Sequence, residues 1–559
     1  MIETPVLISG GGPVGLTLAI ALSRLGIRSM VVNDRLNTTT HPKLDVVNCR
    51  SMEIYRQLGL AETIRANGNP LDANQYSAFA ASAGGPFYAV MSDRHLIYQP
   101  VAKARELISK NSDGSLPLES MQRISQMYLE PVLLDAAKAD PRIDLRFGFR
   151  LYGFEQDGEG VTARAQHIQN EDAFQVRAQY LIGCDGPGSM VRNFLNIDYD
   201  GTRDLIGELF IIHFRSREIA QLYPNRQPYW HTWLRRPGFS GLLVSPDAGR
   251  DDFVLHRAFA PRPGEPLEDI IDKALGCKLK YEIVQSGPWR PQFLVANSLG
   301  RGRVFLAGDA THLYMPTGGL GMNTGISEAH NLAWKLAACL KGWGGAALME
   351  SYEAERLPVA RRNREHVKKC AAAVFESQFD CAPDALADSA AGVKARAALA
   401  SEFEAKVSRL YESLGIEIGY RYRGSPVICA DGEAEPPYEE IRYLPTTSPG
   451  ARLPSVFREN GTALFDQLSE EGFTLLALGA GVEEAAPMEA AARVAGLPLT
   501  VLQVDESHIR EVYDRRFVLV RPDQHVCWRG DRVPADSARI WDVVRGASNG
   551  KVLDAGCKR

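Results

Sequence analysis

Residues 6–35 read VLISGGGPVGLTLAIALSRLGIRSMVVNDR, and how this stretch is read decides the rest of the chain. An apolar run studded with glycines can be a targeting segment, a membrane span or a nucleotide cradle. A signal peptide carries basic residues ahead of its apolar core, whereas Met1–Pro5 offers only the acid Glu3. A spanning helix needs roughly 20 predominantly apolar residues, and Arg24, Arg28 and the clustered glycines interrupt this one. The pattern instead predicts a buried strand over Val6–Ser9, a tight turn, a helix over Pro13–Leu25 and a second strand, SMVVN. Gly10, Gly12 and Gly15 then fall into the G-x-G-x-x-G spacing, with Pro13 opening the helix. The first glycine permits the turn, the second lets a pyrophosphate approach the backbone, and the third lets helix and strand pack closely. The helix N-terminus adds free N–H groups and a partial positive charge.

Two later segments repeat the strand, turn and helix design. Tyr180–Ile182 runs into Gly183, Asp185, Gly186 and Gly188, then into a helical pattern with Val191, Phe194 and Leu195. Taken alone, Asp185 reads equally well as a helix cap or a ligand contact. Val304–Ala307 ends in Gly308-Asp309, followed by a loop with Pro316, Gly318, Gly319 and Gly321. A long helix comes next, with Ile326, Ala329, Ala333, Leu336, Ala337 and Leu340 on one face. An Asp at the carboxyl end of a parallel strand is placed to accept hydrogen bonds from a ribose or ribityl hydroxyl. The loop leaves backbone N–H groups of Leu320 to Asn323 free to face an electron-rich acceptor, such as the flavin edge that gains negative charge on reduction.

Composition narrows the classes. A chain of 559 residues exceeds a single ordinary core. With 45% hydrophobic and 23% charged residues it is globular in composition. A net charge of −5 provides no general attraction to nucleic acid. Nine cysteines without a C-x-x-C pair or metal-ligand spacing favour a reducing cytoplasm over disulfides, and no metal site is expected.

In this order and at these separations the three motifs resemble, over the whole chain, the group A flavoprotein monooxygenases, the single-component FAD aromatic hydroxylases. The resemblance implies an α/β fold. A Rossmann-like FAD-binding domain of the glutathione-reductase type carries an inserted β-sheet substrate domain and is followed by a thioredoxin-like C-terminal domain. Asp185-Gly186 match a motif linked to FAD and to transient NAD(P)H binding, and Asp309 matches the Asp that contacts the FAD ribityl or ribose. Pro316, Gly319, Gly321, Met322 and Asn323 fall in the matching glycine loop. HPKLDVVNCRSMEIYRQLGL, residues 41–60, is similar to the phenol and chlorophenol hydroxylase branch, where an Arg matching Arg50 lies near the cofactor. Gln126 in ISQMYLEPVLL matches a Gln that contacts FAD. Asn33-Asp34 stand where relatives often have Glu-Arg, leaving the ribose to Asp34 or Asn33, and Lys43 stands where Arg is frequent.

Asp45 alone would pass for a turn or cap residue. By the resemblance it matches a position where phenol hydroxylase keeps an Asp that takes the phenolic proton and the chlorophenol branch has His. A phenol, with a pKa near ~10, is a poor nucleophile until a base removes its proton. The implied reaction uses NAD(P)H to reduce FAD, captures O₂ as a C4a-hydroperoxide and hydroxylates a phenolic substrate, expected ortho to its hydroxyl. The same fold also serves oxidases, reductases and halogenases, and a flavin-binding regulator without turnover is a reading from another class.

The expected domains are 1–200 with 292–385 for FAD, and 201–291 with parts of 72–120 for the substrate. A helical linker over 386–440 and a C-terminal domain over 441–559 complete the chain, the last suited to subunit contact in a homo-dimer. Tyr229, His231 and Trp233 alternate as a strand would, so their shared face either lines the substrate site or packs in a core.

Overall fold

Strand Ile2–Ser9 pairs in parallel with Ser29–Asn33 on one side and with Ala173–Gly183 on the other. Val6, Leu7 and Ile8 are completely buried, as a strand covered on both faces requires. The sheet continues to Ile143–Phe147 beyond the second strand and to Val304–Leu306 beyond Ala173–Gly183. The three strands that carry the glycine and aspartate turns are therefore immediate neighbours. Their carboxyl ends lie side by side, where open α/β sheets gather ligands. The structure is a computed structural model that describes residues 1–92, 96–203, 205–248, 250–376 and 383–547.

Helix Pro13–Arg24 packs against the long helix Leu320–Leu340. The contact depends on Gly325, where a Cβ would fall 2.6 Å from the Val14 side chain and 2.9 Å from Gly308 Cα. Any larger residue would pry apart the first turns of both helices.

A second sheet of seven strands stands over this layer. Its order is Glu282–Trp289, Leu209–Arg215, Asp252–Arg257, Phe239–Val244, His231–Arg236, Ser77–Ala80 and Phe87–Met91. Neighbours are antiparallel except His231–Arg236 with Ser77–Ala80. Ile270, Ile271, Ala274 and Leu275 of helix Leu267–Leu275 join the apolar core on one side of this sheet. Toward the C-terminus a four-stranded sheet runs Leu499–Val504, Phe473–Leu478, Phe517–Val520, Val526–Gly530, with the first pair parallel and the others antiparallel. Among the described residues no helix is long and apolar enough to cross a membrane, and no cluster of three or more His, Cys, Asp or Glu could hold a metal.

Buried charge joins the C-terminal sheet to the first layer. Glu355, 1% exposed, accepts hydrogen bonds from Lys335 at 2.7 Å, Arg521 at 2.6 and 3.0 Å, Asn331 at 2.8 Å and Ser425 at 2.7 Å. Burial works against its charge, but Arg521 and Lys335 outweigh that and hold the carboxyl below its ordinary range. Asn331 also reaches Asp523 at 3.0 Å, so one side chain of the long helix serves two buried acids. Removing a single partner from such a group leaves the others charged and unpaired, at a cost of about 3–5 kcal/mol. Glu355→Ala is therefore expected to lower the thermal unfolding midpoint clearly; unchanged melting would show that the cluster contributes no stability.

Candidate active site

A cavity of about 860 Å³ opens at the carboxyl ends of the three motif strands. Gly10 holds φ +109°, and a Cβ there would sit 2.2 Å from the Cys184 carbonyl oxygen, so the turn between the first two motifs admits only glycine. Gly12 lines the cavity, and a Cβ added to it would meet nothing within 4 Å. Gly15 does not line the cavity; its missing Cβ makes room for the Gly10 carbonyl, 2.0 Å from where it would stand. Asn33 accepts a hydrogen bond from Gly11 N at 3.0 Å and so braces the loop. Asp34 lines the cavity and pairs with Arg150 at 3.1 Å.

Asp185 caps a helix and also faces the cavity. It accepts from Ser189 at 2.5 Å and from Val191 N at 3.2 Å, close to the start of helix Met190–Phe194, and with Gly186 it lines the cavity. Asp309 is set by its neighbours. Gly308 has φ +67° and donates its N–H to Glu328 at 2.8 Å, while Glu328 also holds Thr311 at 3.3 Å and lies 3.2 Å from His312. The Asp309 side chain opens into the cavity, and no described residue donates a hydrogen bond to it. Surrounding protein pushes its carboxyl above the ordinary value, with His312 and Lys43 pulling back. Such a group is suited to accept from a polyol hydroxyl. Gln126, Pro13, Pro316, Gly319, Gly321 and Met322 also line the cavity. Two helix N-termini, at Pro13 and Leu320, border it and supply donors for phosphate and for an electron-rich ring edge. The size, the cradle at Gly12 and the acceptor at Asp309 fit FAD.

Two expected contacts are corrected. Arg50 does not line the cavity. It is 1% exposed and donates to Glu53 at 3.1 Å, Gln524 at 2.6 Å and the Asp523 carbonyl at 2.9 Å, because its helix, Cys49–Gln57, faces the C-terminal domain. Asn323 is equally absent from the lining. Its amide donates to the carbonyls of Gly319 at 2.6 Å and Val46 at 3.1 Å and accepts from Asn48 N at 3.1 Å, tying the glycine loop to the segment after Asp45.

A second cavity of about 190 Å³ lies between that loop and the seven-stranded sheet, sharing Lys43, Leu44, Met315, Pro316 and Gly319 with the first. Asp45 lines it, and its Oδ2 accepts from the Trp230 indole at 2.5 Å. Burial pushes the Asp45 carboxyl above its ordinary value; the Arg123 guanidinium and the indole N–H pull it partly back. Arg123 lies 5.0 Å from the Trp230 ring centroid, and burial lowers its pKa to about 10. The Trp230 and His231 rings stack 4.7 Å apart. Tyr411 bonds His231 Nδ1 at 2.8 Å and accepts from the Trp233 indole at 3.1 Å. Burial and Arg123 keep His231 uncharged at neutral pH.

His231 and Trp233 line this cavity, but Tyr229 does not. The strand begins only at His231, and the irregular backbone before it sends both Trp230 and His231 into the pocket. Tyr229 instead packs on the opposite layer, 5.3 Å from Tyr223 and 5.5 Å from Phe87. Trp230, Arg123 and Tyr411 were missed. Trp230 breaks the period-two pattern, and Tyr411 lies in the region read as a linker, with no local motif to mark it.

A nucleotide cradle beside an aromatic pocket lined by a half-buried carboxylate suits an oxidoreductase that acts on aromatic compounds with a dinucleotide cofactor. Residues 3–367 match the FAD binding domain family, and residues 446–545 match the aromatic-ring hydroxylase C-terminal family. The FAD-dependent monooxygenase apdD of Emericella nidulans is 34% identical over 561 residues, covering 94% of this chain and 88% of the relative. The 2,4-dichlorophenol 6-monooxygenase of Cupriavidus pinatubonensis is 31% identical, covering 96% and 95%. The solved structure of the rebeccamycin biosynthetic enzyme RebC with reduced flavin superposes with a TM-score of 0.86 at 32% identity, covering 98% of this chain and 99% of that one. The chain belongs to the FAD-dependent aromatic-ring monooxygenases.

The two glycines separate folding from cofactor binding. Gly12→Val is expected to fold yet retain little FAD, judged by the ratio of flavin to protein absorbance. Gly10→Val is expected to lose the folded protein, and Asp309→Ala to weaken FAD about tenfold or more while melting normally. A Gly12→Val protein with full flavin content would refute the cradle.

Proposed function

We propose that the protein hydroxylates a phenolic ring bound in the aromatic pocket, ortho to the phenolic hydroxyl, with NAD(P)H as reductant and O₂ as oxygen donor. The observation that carries this reading is the Asp45 carboxylate, desolvated and oriented by Trp230 in the aromatic pocket, next in the chain to Leu44, which lines both cavities. FAD, once reduced and exposed to O₂, supplies the electrophilic oxygen. Asp45 takes the phenolic proton and so raises electron density at the ortho and para carbons. Trp230 N–H holds Oδ2, and the other carboxyl oxygen, Oδ1, is assigned to the substrate. Arg123 moderates the rise in the Asp45 pKa, so the group can be ionised and still basic. Trp233, Val244, Val254 and Leu242 keep the pocket dry around the reacting ring. The relative named 2,4-dichlorophenol 6-monooxygenase supports the choice of ring class and position.

The same reading assigns cofactor contacts to Gly12, Asp34, Gln126, Asp185 and Asp309, and substrate contacts to His231 and Trp233. It takes 201–291, with the strands at 77–80 and 87–91, as the substrate domain. The C-terminal unit is read as thioredoxin-like, supported by its strand order, and as a surface for a homo-dimer.

A base must be ionised to act, so turnover should rise with pH through a pKa above the ordinary Asp value. Asp45→Asn should retain FAD, abolish that limb and cut hydroxylation about 10²-fold, with O₂ diverted to H₂O₂. NAD(P)H oxidation in the presence of phenols, with ¹⁸O₂ incorporation, measures both. An unchanged rate and pH profile would remove Asp45 from the mechanism; no stimulation by any phenol would remove the function.

A further inference from the structure

Beyond the aromatic pocket lies a further chamber of about 260 Å³, which no step above uses. It meets the pocket at Met121, Tyr411, Ser413 and Glu417, residues that line both. Its walls are largely apolar, from Leu96, Val101, Ala104, Leu116 and Ile441. Polar side chains line it too, among them Gln99, Ser115, Glu412 and Arg442 as well as the buried Gln75 and Glu417. Gln75 is 1% exposed, and neither its amide nitrogen nor its amide oxygen has a hydrogen-bond partner among the described residues. An amide buried without partners has given up its hydrogen bonds to water with nothing in return, a cost that a ligand with matching groups removes. Glu417, at the junction, accepts from Cys49 N at 3.0 Å and Ser413 at 3.2 Å, and burial raises its pKa to about 7. Near neutral pH it can therefore offer a proton as well as accept one.

A free amide donor, a free amide acceptor and a carboxyl at the junction call for hydroxyl or carbonyl oxygens on an otherwise apolar body. Tyr411 is pinned by His231 and Trp233, so the junction lies in a fixed place relative to Asp45. We propose that this chamber is a distal subsite, in which Gln75 and Glu417 recognise the oxygen-bearing far end of a multi-ring phenol whose reacting ring occupies the aromatic pocket. The inference rests on the phenolic reading of that pocket and adds the size and far-end chemistry of the substrate.

The test uses the FAD-loaded full chain and three probes: phenol, 2-hydroxyanthraquinone and 2,6-dihydroxyanthraquinone, titrated by perturbation of the flavin absorbance. Wild type should bind the dihydroxy compound about tenfold more tightly than the monohydroxy one. Gln75→Leu and Glu417→Leu should each shrink that preference toward unity. Ala104→Phe, which fills the chamber from its opposite wall, should raise the dissociation constants of both three-ring probes relative to that of phenol. This variant alters no polar group and keeps the test available should Gln75→Leu fold poorly. Equal affinity for the two three-ring probes in wild type, or a preference that survives Gln75→Leu, would overturn the subsite. An Ala104→Phe protein with unchanged probe ratios would do the same. Failure of all three probes to bind would instead overturn the reading of the aromatic pocket itself.

Discussion

The first helix and the long helix approach most closely where Gly325 has no side chain, and the neighbouring cofactor cavity depends on that contact. With Val14 and Gly308 packed against Gly325, the N-termini of both helices converge on one cavity. The turn at Gly308 is part of the same contact, which sets Asp309 beside the two helix ends. From the long helix, Asn323 then reaches back to Val46 and Asn48. The segment that carries Asp45 is thereby held at a fixed height over the glycine loop. Cofactor cavity and aromatic pocket are thus positioned by one set of backbone approaches that side chains would prevent.

The same helix couples its far half to the C-terminal sheet through charge. Asn331 and Lys335 meet Glu355, and Asn331 and Arg521 meet Asp523, in an interior with little water to compensate an unpaired group. Buried ion pairs are weak evidence of net stability, since desolvation offsets much of the attraction. Their effect here is geometric, because each acid has several donors and only one arrangement satisfies them all. Arg50 belongs to this design. Its helix starts at Asn48, on the wall of the aromatic pocket, and is fastened through Gln524 and Asp523 to the C-terminal domain. A domain that does not line the cofactor cavity therefore braces a wall of the aromatic pocket.

Within the pocket, polarity is kept to a few atoms. Trp230 presents a ring to Arg123 and an N–H to Asp45, so a single indole contacts both a cation and an anion. Such an arrangement preserves a carboxylate able to take a proton, which a direct salt bridge would suppress by lowering its pKa. Tyr411 plays a comparable part for His231, fixing the ring by its Nδ1.

The sequence by itself determined the cofactor layer. Gly10, Gly12, Gly15, Asp185 and Asp309 act through backbone conformation and through position at strand ends, both of which are local and leave a spacing that can be recognised. Asp45 was singled out for a different reason, through its resemblance to a known segment. Only the tertiary structure decided what lies across from these motifs. Tyr229 left the pocket because the backbone before His231 is irregular, and Trp230 entered it for the same cause. Arg50 turned toward Gln524, some 470 residues away in sequence, and Tyr411 and Glu417 reached the pocket from a region with no motif. Burial, pairing and pKa depend on which distant segments share a wall, and no periodicity along the chain records that.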